Sequence, residues 1–236
     1  MKISNQFAML TKREWILWVS SIIIITVTFF IKSSGNYLTL VASLIGATSL
    51  IFIAKGMVIG QLLMLLFSVL YALISWNLCY YGEMLTYLGM TAPMAVLSAI
   101  QWIKNPYEGK KGVVKTAKLS KKKIFYLIIM AVIVTWIFYY ILLYFNTANM
   151  MFSTISVTTS FLAAFLTFLR SPLYALGYAA NDIVLIVLWV LATMGDKDYL
   201  PMIICFIIFS YHFKNNNIYI LFCNITYNNR CWFFFI

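Results

Sequence analysis

Residues 57–80 read MVIGQLLMLLFSVLYALISWNLCY, a run without one charged side chain. A helix needs about 20 mostly apolar residues to cross the hydrocarbon core of a bilayer, so this stretch is long enough to span it. Its polar groups are not scattered. Gln61, Ser68 and Ser75 recur every seven residues and so share one slowly drifting stripe of a helix. The run then ends in SWNLCYYGEM, residues 75–84, which sets tryptophan, asparagine, tyrosine and a carboxylate side by side. An oily helix with one polar stripe belongs to a membrane protein in which that face meets protein or water.

The rest of the chain agrees. Of 236 residues, 64% are hydrophobic and 10% charged, and the mean hydropathy is +0.93. Soluble domains carry about 25% charged residues, so the class is an all-α integral membrane protein. Eight spans are expected, at 15–31, 37–54, 57–80, 84–103, 124–145, 150–168, 172–193 and 200–221. The run at 15–31 is too long for the apolar core of a secretory signal and lacks a small-residue cleavage site behind it. The four cysteines have neither disulfide-framework nor metal-ligand spacing.

Placing the N-terminus in the cytoplasm puts fifteen of the seventeen lysines and arginines on the inner side, counting Lys214 and Arg230 there. Only Lys32 and Lys197 then lie outside. This is the asymmetry that orients membrane proteins. Eight of the inner lysines sit in the loop 104–123, which is expected to anchor the topology. The net charge of +11 is thereby explained without a nucleic-acid partner.

A shift of 113 residues brings Gln61 onto Tyr174, Ser68 onto Asn181, Trp76 onto Trp189, Gly82 onto Gly195 and Glu83 onto Asp196. The spacing predicts a parallel 3+1+3 repeat, with a three-helix unit at 37–103, a linking helix at 124–145 and a second unit at 150–221. The span 15–31 is then an extra N-terminal helix. Repeats about an axis along the membrane normal occur in transporters, which bind small molecules near the midplane between the units. In the second unit Tyr174, Tyr178, Asn181, Leu185 and Trp189 fall on one helix face.

The candidate substrate-binding residues are Gln61, Ser68, Trp76, Asn77, Tyr178, Asn181, Asp182 and Trp189. Asp182 is the one carboxylate deep in a span, where an unpaired charge costs a few kcal/mol. It either serves function or makes a helix-packing hydrogen bond. The amides of Gln61 and Asn181 suit a polar ligand edge, or bonds between helices. Trp76 and Trp189 suit a pocket, or the aromatic belt at the membrane surface. Glu83 and Asp196 are expected in short outer turns, at an entrance or as turn residues, and the group Ser156, Thr158, Thr159 and Ser160 as packing between helices. Tyr80 and Tyr81 read as belt residues. The single His212 has no partner at metal-ligand spacing, and no HExxH, GxSxG or GxxxxGK[ST] motif occurs. Neither a catalytic residue, a metal nor a cofactor is expected, and a membrane enzyme or sensor is the remote alternative.

Residues 60–94, GQLLMLLFSVLYALISWNLCYYGEMLTYLGMTAPM, resemble the PnuC family of bacterial vitamin transporters. The resemblance rests on the YGEM turn, the Pro93–Met94 pair, Gln101 and Trp102 at the span end, and the Asn181–Asp182 pair. It extends over about 37–208. It implies a duplicated three-helix unit of the SWEET and SemiSWEET kind and uptake of nicotinamide riboside across the bacterial inner membrane by facilitated diffusion. It further implies trapping by a cytoplasmic ribosylnicotinamide kinase, and assembly as a homotrimer. Thiamine, riboflavin or a deoxynucleoside is the alternative cargo. The ending SYHFKNNNIYILFCNITYNNRCWFFFI, from residue 210, departs from the family and resembles an altered reading frame, which would damage the eighth span.

Overall fold

A computed structural model of the chain describes residues 10–32, 37–77, 81–107, 110–147, 149–195 and 207. The helices are α1 (Lys12–Lys32), α2 (Tyr37–Ala54), α3 (Val58–Asn77), α4 (Tyr81–Thr86), α5 (Ala92–Lys104), α6 (Lys121–Tyr144), α7 (Met150–Phe168) and α8 (Tyr174–Gly195). A π-helical turn, Tyr87–Thr91, joins α4 to α5, so that Tyr81–Lys104 is one continuous rod. Five of these rods are long and apolar enough to cross a membrane, and apolar segments Glu14–Phe30 and Tyr174–Leu188 lie within the other two. Seven expected spans thus fall on helices. The eighth, 200–221, lies outside the described residues except for the helical Ile207, and so does the atypical tail.

α1 packs on α2, α2 on α3, and α3 on α5; α5 leans on α7, which pairs with both α6 and α8. α6 touches the core along one narrow stripe, Leu127, Ala131, Phe138 and Leu142. Its other faces expose Phe125, Val132, Trp136 and Tyr140. A helix so apolar with so little cover is one that meets lipid on most sides.

The start of the fourth span departs from expectation. Tyr81–Gly82–Glu83 is not an outer turn but the first turn of a helix. The glycine that signals a turn in the sequence serves packing instead. A Cβ at Gly82 would stand 2.7 Å from a Leu142 methyl and 2.8 Å from the Thr147 hydroxyl, so with glycine this helix starts against the end of α6 without those side chains having to shift.

The basic loop is also more than a tether. It forms a small antiparallel hairpin, β1 (Pro106–Tyr107) with β2 (Lys110–Val114), a strand element within an otherwise helical fold. The hairpin and the segment after it are tied to two turns. Val114 donates its N–H to the Gly56 carbonyl at 2.9 Å, and Ala117 donates to the Arg170 carbonyl at 2.9 Å. Val114 is itself buried, in a cluster with Ile53, Trp102, Leu127, Leu166 and Tyr174. Two long-range hydrogen bonds brace the same end. The Trp102 indole donates to the Thr167 carbonyl at 3.1 Å, and the Tyr174 hydroxyl to the Ile53 carbonyl at 3.2 Å. At this end, too, Lys55 pairs with Glu14 at 2.9 Å, fastening α1 to the α2–α3 turn.

Candidate functional site

The expected face of α8 is real. Tyr174, Asn181 and Leu185 are all buried, Tyr178 partly so. Its members do different work. Tyr174 braces the α2 end, Tyr178 stands edge-on to Tyr174 with centroids 6.1 Å apart, and Leu185 packs on Ala47.

Asn181 joins α8 to α7. Its Oδ1 accepts from Thr159 Oγ1 at 2.9 Å and from Ser160 Oγ at 2.8 Å. Ser160 also lines a narrow cavity of about 20 Å³, room for a single water molecule. The walls come from four parts of the chain, with Leu142 contributed by α6. Glu83, Thr86, Tyr87 and Thr91 line it from the α4–π segment; Ser153, Ser156 and Ser160 from α7; and Leu185, one turn beyond Asn181, from α8. The π turn matters here. It rotates less per residue than an α-helix, which returns Thr91 toward the face that carries Glu83 and Tyr87. Tyr87 belongs to an aromatic cluster with Tyr71, at 4.2 Å between centroids, and Phe67, at 5.8 Å.

Among the described residues, two buried side-chain atoms lack a hydrogen-bond partner, Gln61 Nε2 and Asp182 Oδ2. Their residues are 2% and 5% exposed, which makes them costly to fold around unless the groups have another use. Neither is among the cavity-lining residues.

The remaining expected site residues lie elsewhere. Ser68 is fully buried and donates to the Met64 carbonyl of its own helix. Trp76 is 58% exposed and stands edge-on to Tyr81, at the rim of the bundle. Trp76→Ala is therefore expected to change ligand affinity by less than about twofold, measured by titration calorimetry on purified protein. Asn77 closes α3 and Trp189 lies within α8, but both side chains fall outside the described residues.

Glu83, Thr86, Tyr87, Thr91, Ser153, Ser156 and Ser160 were not expected to line a site. The available signal was the spacing of Ser153, Ser156 and Ser160, which is one face of a helix.

The nicotinamide mononucleotide transporter family model matches residues 36–213. The nicotinamide riboside transporter PnuC of Neisseria mucosa (strain ATCC 25996 / DSM 4631 / NCTC 10774 / M26) is 24% identical over 198 residues, covering 82% of this chain and 75% of that protein. The crystal structure of the vitamin B3 transporter PnuC superposes with a TM-score of 0.78 at 21% identity, covering 94% of each chain. The likeness is one of fold. With three-quarters of its length matched, from the first paired helix to the eighth expected span, the chain belongs to the nicotinamide mononucleotide transporter family.

Proposed function

We propose that the chain carries nicotinamide riboside across the bacterial inner membrane by facilitated diffusion, with its N-terminus and basic hairpin in the cytoplasm. There a ribosylnicotinamide kinase would trap the riboside as the phosphate.

One observation favours the riboside over the mononucleotide. The cavity is lined by serine and threonine hydroxyls, a tyrosine, a carboxylate and three aliphatic side chains, and no lysine or arginine is among its lining residues. A phosphate brought there would face Glu83 with no cation to pair it, and burying an unpaired anion is expensive. Ribose hydroxyls, in contrast, find partners in serines and threonines, and a planar ring finds Tyr87. Of the residues expected from sequence, the reading keeps Asn181 through its bond to the cavity-lining Ser160, and holds Gln61, Tyr178 and Asp182, which do not line the closed cavity, for the wider site that forms when the helices part.

The finer fold goes with it: two equivalent three-helix units joined by α6, with eight spans in all. The turns give support. A shift of 113 residues carries Met57 onto Arg170, and the hairpin segment bonds to both of these corners. Because the cavity admits about one water, passage requires the helices around it to part.

The test is a binding panel on purified protein. Nicotinamide riboside should bind at least about tenfold tighter than nicotinamide mononucleotide and than thiamine. Equal or tighter binding of the mononucleotide would overturn the riboside assignment; tight binding of thiamine alone would move the chain to another vitamin.

A further inference from the structure

We propose that Glu83 is the residue that selects for positive charge in the polar cavity. The substrate class it favours is a planar aromatic cation carrying a sugar, over the uncharged molecule of the same shape. The inference rests on the reading of the chain as a nicotinamide riboside carrier, whose substrate bears a fixed positive charge on its ring.

The first argument is the company Glu83 keeps. It is the one carboxylate among the cavity's lining residues, amid Thr86, Thr91 and the α7 serines, and no lysine, arginine or histidine lies among them. Among the described residues it has no lysine or arginine partner, whereas Glu14 is paired with Lys55 at the other end of the bundle. A carboxylate at the start of a membrane span is costly. Packing alone would not require it, since the rest of the lining is threonine, serine and Tyr87 with the apolar Leu142, Val157 and Leu185. A carboxylate adds what hydroxyls cannot: an acidic group that can carry the counter-charge to a cationic ring.

The second argument is position. Gly82 brings the helix start close against Leu142 and Thr147, and the next residue, Glu83, lines the cavity together with Leu142. One turn later stands Tyr87, stacked against Tyr71. A carboxylate one turn from an aromatic face gives a planar cation both a counter-charge and a ring to stack on, and the two attractions act together. An uncharged ring of the same shape keeps the stacking and loses the counter-charge. Asp182, the other buried carboxylate of the region, does not line this cavity, so it does not supply the selection directly.

The experiment compares two ligands that differ in charge and hardly in shape: nicotinamide riboside and its dihydro form, which has the same sugar and carboxamide on an uncharged ring. Calorimetric affinities are measured for the wild type, for Glu83→Gln and for Glu83→Asp, each shown to be folded by thermal unfolding in detergent. Glu83→Gln should weaken binding of the cation by about tenfold or more and of the dihydro form by less than about twofold. Glu83→Asp, which keeps the charge, should retain the preference for the cation. An equal loss for both ligands in Glu83→Gln, or no loss for either, overturns the proposal, as does loss of the preference in Glu83→Asp. Failure of the wild type to bind either ligand is a different outcome. It overturns the functional reading itself, and the role of Glu83 with it.

Discussion

Asn181→Leu is expected to weaken nicotinamide riboside binding by about 10- to 100-fold while leaving the protein folded. Leucine has the same number and branching of side-chain heavy atoms as asparagine, so the buried position can take it with small shifts of its neighbours. What disappears is the Oδ1 that accepts from Thr159 at 2.9 Å and from Ser160 at 2.8 Å. The two hydroxyls suffer unequally. Thr159 also donates within its own helix, to the Ile155 and Ser156 carbonyls, and keeps those partners. Ser160 is held by Asn181, and it lines the cavity. Losing one partner of a buried hydrogen bond costs about 1–3 kcal/mol, which sets the range of affinity. The measurement is calorimetric affinity together with thermal unfolding in detergent. Affinity within about twofold of wild type, on a folded protein, would remove Asn181 from the site. Asn181→Asp retains an oxygen acceptor in place and should fall between the two.

Much of this architecture is legible in the sequence because lipid imposes a simple rule. Every spanning helix must be long and apolar, so 150–168 and 37–54 coincide with α7 and α2 end for end. The rule is silent on what glycine means. In YGEM the glycine resembles a turn signal, yet it lies in a helix and admits the neighbouring α6. The rule is silent on loops as well. Eight lysines over 104–123 announce a cytoplasmic tether, and they obscure the paired valines of KKGVV that build a strand and bury Val114.

The site is legible only in part, for a related reason. Asn181 stands out because an amide is rare in such a helix. Serine and threonine do not, since their hydroxyls bond their own backbone in most membrane helices, as Ser68 and Thr154 do. Whether such a hydroxyl also faces a cavity depends on the helix opposite. For Ser153 and Ser156 that partner is a π turn, which sequence periodicity does not announce.

Gly177→Ala should destabilise the protein, although the same change inside an ordinary helix adds about 0.5–1 kcal/mol of stability. The reversal comes from the neighbour. A Cβ at position 177 would lie 2.8 Å from the Ala163 Cα and 3.2 Å from its backbone nitrogen. Backbone atoms have no rotamer to escape into, so α7 and α8 must move apart. In lipid their association rests on close packing and hydrogen bonds rather than on a hydrophobic drive, so little compensates the separation. Overpacking of this kind costs about 1–3 kcal/mol, which outweighs the helix propensity gained. Asn181 is one turn above Gly177, and Thr159 and Ser160 one turn from Ala163, so the same separation pulls on the bonds that close the candidate site. Gly177→Ala should thus lower the unfolding temperature and weaken nicotinamide riboside binding together, and Gly177→Val should abolish folding. An unfolding temperature raised by Gly177→Ala would show that the two helices do not approach this closely.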